Sequence, residues 1–307
     1  MARKYRYRPG RSVRAGRPHW GSLALLLISA ALVVWGAAVL LGDFGEKKAA
    51  ETADAEMRAV YRTEPGTPAE EAAPKPTEAP VLQEEAIAAA NPVLLPSVLA
   101  QQPYYRAPDA SLISRFQALQ KKNMDVIGWL TIGSMIDEAV VQRDNEFYMN
   151  HDVTGKKNSR GAVFLDEGVS LQTRPYTLIL YGHNMRDMSR FGWLKKYENP
   201  DFYQENQLID FSTLYEKGRY VVFSLGTVST QEEDANYLDF YGLNSLRTDD
   251  RAQAIRVLQN VSVLECEIDV RADDQILLLV TCVDKDTNRR VVAARRIREG
   301  ENEAAFK

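Results

Sequence analysis

Ile276-Leu277-Leu278-Leu279-Val280-Thr281-Cys282 breaks off into the polar segment Val283-Asp284-Lys285-Asp286-Thr287-Asn288, and then into Arg289-Arg290. A short apolar run that stops at a turn-rich segment reads as a strand. Four more runs have the same form: Ala139-Val140-Val141, Ala162-Val163-Phe164-Leu165, Thr177-Leu178-Ile179-Leu180-Tyr181 and Tyr220-Val221-Val222-Phe223. Many short strands with irregular links predict a closed or nearly closed β-barrel. Between the fourth run and Ile276, Thr248 or Asp249 is placed to cap a helix whose Ile255, Val257 and Leu258 would pack on that barrel. Upstream, Leu112, Phe116 and Leu119 recur at helical spacing behind Asp109 and Ser111 as available caps, so a short amphipathic helix starts the domain. The expected class is mostly β, a β-rich α+β domain over residues 109–307.

The chain N-terminal to this domain is of another kind. From Trp20 to Gly42 run 23 consecutive uncharged residues rich in Leu, Ala and Val, and a helix needs about 20 to cross the hydrocarbon core. Arg3, Lys4, Arg6, Arg8, Arg11, Arg14 and Arg17 precede the run, whereas Asp43 and Glu46 follow it. The positive-inside rule therefore predicts residues 1–19 in the cytoplasm, a single-pass anchor over 20–42, and everything after residue 43 outside. A cleaved signal peptide would have an apolar region of only about 7–15 residues before a small-residue site, and Ala37 and Ala38 lie too deep in the run to supply one. Residues 43–108 read as a stalk dominated by Ala and Glu. Prolines such as Pro65, Pro68, Pro74 and Pro92 interrupt any helix and predict a semi-extended spacer. Within it, Ala86–Ala90 could form a short helical piece and Val93–Leu99 could dock on the domain. Net charge is -4; setting aside the seven cations of the leader leaves -11 over residues 43–307, which argues against nucleic acid as a partner.

The chemistry has few places to reside. Only three histidines exist, and His19 precedes the span, so an extracellular site needing imidazole must use His151 or His183. His183 follows Thr177–Tyr181 directly, with Gly182 permitting a turn, and strand ends are where functional groups are usually mounted. His151 lies in Asn150-His151-Asp152-Val153 and reads as a solvated loop residue. Cys282 ends the Ile276 run, where a substrate can reach a thiol. A small buried hydrophobe is the bland alternative. A guanidinium from Arg289 or Arg290 near that thiol would lower its pKa and stabilise an oxyanion, although paired strand arginines are more often a solvated face. With Cys266 as the second cysteine, a Cys266–Cys282 disulfide is the default in an extracellular setting. No His, Cys or carboxylate cluster has metal-ligand spacing, and no phosphate loop or Gly-x-Ser-x-Gly elbow is present, so no cofactor is indicated.

Tyr181-Gly182-His183-Asn184, the Leu279-Val280-Thr281-Cys282 ending and the downstream arginine resemble the signature of sortases, specifically class B. The likeness extends through Asn123–Leu130, Asp144–Tyr148, Gly161–Asp166, Phe191–Leu194 and a helix near 249–260, covering about residues 109–298. Ala139 departs from it, standing where the family often has proline before a valine. The resemblance implies an eight-stranded β-barrel and attachment of surface proteins to the cell wall of Gram-positive bacteria. It implies Cys282 as a free-thiol nucleophile that cleaves a C-terminal sorting signal after threonine, and His183 as acid and base. The family's pattern of arginine, variable residue, apolar positions implies Arg289 rather than Arg290 as the third catalytic residue, and the pleat then sends Arg290 to the opposite face. An amine of the peptidoglycan cross-bridge, or of its lipid-linked precursor, would resolve the thioacyl enzyme, with Cys266 a bystander and Thr281 a packed strand residue. A pilin-polymerising sortase with a lysine acceptor, a secreted cysteine hydrolase and a stalked binding domain are the rival readings.

Overall fold

The computed structural model describes residues 20–63, 108–173, 175–283 and 287–306. The chain divides into two compact units, Met1–Glu46 and Lys47–Lys307. In the first, residues 20–46 belong to helix α1 (Trp20–Arg62), and Leu32, Val33, Trp35 and Leu40 are exposed. The helix is long and apolar enough to cross a membrane. The leader 1–19 and residues 64–107 of the expected stalk, with Ala86–Ala90 and Val93–Leu99, lie outside the described residues.

The second unit is built on eight strands: β1 (Val126–Ile132), β2 (Ile136–Val141), β3 (Val163–Leu165), β4 (Thr177–Tyr181), β5 (Leu208–Thr213), β6 (Lys217–Ser229), β7 (Ile276–Cys282) and β8 (Asn288–Arg296). They close into a barrel in the order β1-β2-β3-β4-β7-β8-β6-β5, with β5 returning to pair β1. All pairs are antiparallel except β2 with β3 and β4 with β7. Each of the five apolar runs lies within one strand or, for Ala162–Leu165, begins one residue ahead of it. The pleat divides the β7 run in two: Leu277 and Leu279 fill the barrel with Leu180, Phe211 and Val292, whereas Ile276, Leu278 and Val280 face outward. Strand β5 escapes an apolar-run reading because it alternates, with Ile209 and Phe211 buried between Asp210 and Ser212;.

Helix α2 (Ala110–Gln120) starts at Asp109, whose carboxylate accepts from the Ser111 amide at 2.8 Å, and buries Leu112, Phe116 and Leu119. After α3 (Pro200–Glu205), helix α4 (Thr248–Asn260) covers the outer face of β7 and β8, with Ile255 and Leu258 buried there and Val257 at its edge. Its N-cap is Arg247 rather than Thr248 or Asp249. Asp249 and Asp250 fall instead in the first turn, where carboxylates meet the positive end of the helix dipole.

Residues 47–62 differ from the semi-extended spacer their composition suggested. They are helical, and Ala50, Ala53 and Met57 are buried. Met57 and Ala53 share a core with Phe116, Trp129 and Tyr148. Tyr61 stacks on Trp129 at 4.0 Å. Ala50, Ala53, Met57 and Tyr61 recur every three or four residues, which is an amphipathic stripe, and no proline lies between Pro18 and Pro65 to break it.

Candidate active site

The register of β4, β7 and β8 brings the sequence candidates to one level. Strands β4 and β7 run parallel with Tyr181 opposite Val280, and Gly182 N–H continues the ladder to Val280 O at 3.2 Å. The same offset sets His183 level with Cys282. On the other side of β7, Cys282 pairs directly with Arg289. Face follows from the pleat as well as level. Ile179 of β4, Leu278 and Val280 of β7, and Val291 of β8 all pack in the outer cluster beneath α4. His183, Cys282 and Arg289 continue those same alternations, so three neighbouring strands present them on the barrel's outer face at one rim.

Together they line a groove of about 410 Å³ with Tyr181, Thr281 and the segment Tyr237–Tyr241. Cys282 is exposed at its edge, and both cysteines are free thiols. Cys266 is half-buried against the barrel core, its Sγ–H donating to Phe223 O at 3.2 Å. Arg290 turns to the other face, where its guanidinium pairs with Glu198 at 3.0 Å. Thr281 is buried within the strand, as expected for a packed threonine.

His183 Nε2 lies 2.7 Å from Met149 O. A carbonyl oxygen only accepts, so Nε2 carries a proton and Nδ1 is the nitrogen left to exchange one. Gly161 makes room for this ring: at φ +59°, a Cβ there would lie 2.5 Å from Tyr148 O and 3.0 Å from His183 Cδ2. Asn184 donates through Nδ2 to Cys282 O at 2.9 Å and so ties the end of β7 to the histidine loop. Tyr181 donates to Asp166 at 3.2 Å. Burial, and the nearby Asp166 carboxylate, raise its hydroxyl well above the ordinary tyrosine value, so it stays protonated and is no base here;.

His151 does not join the groove, and it is not a solvated loop residue either. Its Nδ1–H donates to Phe147 O at 2.7 Å, and its ring stacks on Phe147 at 3.9 Å, which fastens the turn after Tyr148. Sequence reasoning also passed over the groove's aromatic wall. Tyr237, Phe240 and Tyr241 line it, and three aromatics within five residues after the acidic Glu232-Glu233-Asp234 were the signal available;.

Comparison with known proteins agrees with this geometry. A family model described as a sortase domain matches residues 131–297. Sortase B of Staphylococcus aureus is 29% identical over 192 residues, covering 60% of this chain and 74% of its own. Among solved structures, a Bacillus anthracis protein described as similar to sortase B aligns with TM-score 0.54 at 29% identity, covering 66% of this chain and 91% of that one. A sortase B complexed with triglycine aligns with TM-score 0.55 at 28% identity, covering 62% of this chain and 88% of that one. A family domain over more than half the sequence, sortase B relatives by sequence and structure, and a closed barrel with a free thiol at its rim lead to one assignment: the chain belongs to the sortase family as a class B member, a cysteine transpeptidase.

Proposed function

We propose that Cys282, His183 and Arg289 carry the transpeptidation, and that the substrate is a surface protein with a C-terminal sorting signal. The alignment of the three residues at one level and on one face supports this reading most directly. Cys282 Sγ attacks the carbonyl carbon after the signal's threonine, and the carbon–nitrogen bond breaks to leave a thioacyl enzyme. His183 Nδ1 takes the thiol proton as Sγ attacks and delivers it to the departing amine, then takes one from the incoming amine and returns it to the sulfur as the thioacyl bond breaks. Arg289 sits where its guanidinium can meet the negative charge on the carbonyl oxygen.

The acceptor is an amine of the peptidoglycan cross-bridge or its lipid-linked precursor. The triglycine complex of a sortase B relative supports an acceptor of amine chemistry. The exposed apolar side chains between Leu27 and Leu41 support an anchor in the cell membrane, and the cations of residues 1–19 support a cytoplasmic N-terminus with the barrel outside;. The test is mass spectrometry of the full chain in detergent micelles, incubated with a library of threonine-containing sorting peptides and amine acceptors. The expected result is an acyl adduct on Cys282 and an amine-exchanged product, both absent in Cys282→Ala. Turnover retained in Cys282→Ala or in His183→Ala would overturn the assignment.

A further inference from the structure

His183 stands at the base of a closed loop. Its carbonyl oxygen accepts from Met185 N–H at 3.1 Å and from Phe191 N–H at 3.0 Å, so residues 184–190 leave and return at the same point. The loop is tightly wound. Met188 and Arg190 hold positive φ, 66° and 51°, a conformation disfavoured for residues with a Cβ. A Cβ on Gly192 would come within 2.0 Å of Met185 O. Backbone of this kind keeps its shape only where its surroundings hold it.

What holds it comes in large part from residues 47–54 of α1. Arg190 is buried, and its Nη1 donates to Asp54 at 2.8 Å and to Glu138 of β2 at 2.9 Å. Asp187 accepts from buried Arg160 at 2.8 Å and from Lys47 at 3.0 Å. Burial works against ionisation of Asp187. The hydrogen bonds from Ser189, Lys47 and Arg160 outweigh it and keep the carboxyl well below the usual range. Two polar side chains of one helix, Asp54 and Lys47, thus grip two charged groups of the loop, at positions shortly before Phe191 closes it onto His183.

We propose that Asp54 and Lys47 are positioning residues for the transpeptidation, acting through Arg190 and Asp187 to fix the backbone that carries His183. A loop let go from α1 can relax its positive-φ residues and shift the histidine ring away from Met149 O and from its level with Cys282. A misplacement of about 1 Å can cost on the order of a hundredfold in rate. The inference rests on the assignment of His183 made above.

The experiment compares Asp54→Ala and Lys47→Ala with Arg62→Ala in the full chain in detergent. Arg62 binds the same helix to the barrel through Asp137 but touches no part of the loop. Asp54→Ala is expected to lower kcat about tenfold or more with KM within about twofold, and to displace the pH profile of kcat/KM, because a shifted imidazole alters proton transfer. Lys47→Ala should do the same more weakly, and it carries the test if Asp54→Ala loses its cooperative melting transition. Arg62→Ala should leave kcat within about twofold. Native kcat and pH profile in both loop-side variants would overturn the proposal, as would an equal loss in Arg62→Ala, which would signify helix docking in general. Failure here leaves His183→Ala inactive, whereas failure of the underlying assignment leaves His183→Ala active, so the two are told apart.

Discussion

At adjacent positions on β8, Arg289 and Arg290 meet different surroundings. Arg289 pairs across the ladder with Cys282 on the outer face, whereas Arg290 reaches Glu198 from the other face, an ion pair whose carboxylate is half exposed. Arg289→Ala should lower kcat about a hundred- to a thousandfold, the scale of losing one oxyanion donor. Arg290→Ala removes a solvent-screened pair worth about 1 kcal/mol or less, and should leave kcat near native. Steady-state kinetics of the two variants decides between them; the reverse ranking would shift the third role to Arg290. In sequence the preference for Arg289 came from the resemblance to the family's pattern of arginine, variable residue and apolar positions, and the pleat added only that the two arginines lie on opposite faces. The hydrogen bond to Met149 O that sets the histidine tautomer was not readable. It joins residues 34 apart and depends on a turn that no periodicity announces.

Among the elements, β7 and β4 were legible because continuous apolar runs mark strands buried on both faces. Strand β5, with its alternation, and residues 47–62 were less so. In the latter, alanines carry most of the stripe, and alanine and glutamate serve a docked helix and a solvated spacer equally well. Docking that helix has a titratable consequence. Asp54 is pushed up to about 7 by burial, against Arg190 and Arg58, with Glu138 raising it further. Lys47 on its own helix and Asp137 and Glu138 on β2 complete the charges around the contact. The folded protein therefore holds a proton that an unfolded carboxyl, near 3.8, has released. Stability contributed at this site is greatest at low pH, falls as pH rises from about 4 to about 7, and is flat above. Melting temperatures of the full chain measured from about pH 4.5 to about pH 8 should show that decline, and Asp54→Asn should flatten it. An unchanged slope in the variant would assign the decline elsewhere.

For the whole molecule, the two free thiols differ in access. Cys282 is exposed, while Cys266 is half-buried and engaged with Phe223 O. If residues 20–42 span the membrane with the barrel outside, a membrane-impermeant maleimide added to intact cells should label the chain, and Cys282→Ala should remove most of that label. Labelling only after permeabilisation would reverse the topology.

The seam between β4 and β7 has a consequence for how the chain matures. It joins Thr177 to Ile276 in parallel, a contact distant in sequence, and such pairings form late because the entropy of closing a long loop is lost before the contact is gained. His183 lies on one side of that seam, and Cys282 and Arg289 lie on the other. A chain caught halfway through folding therefore carries a thiol without its imidazole. The barrel acts as an interlock: the proposed reactive centre is complete only once this long-range joint has closed.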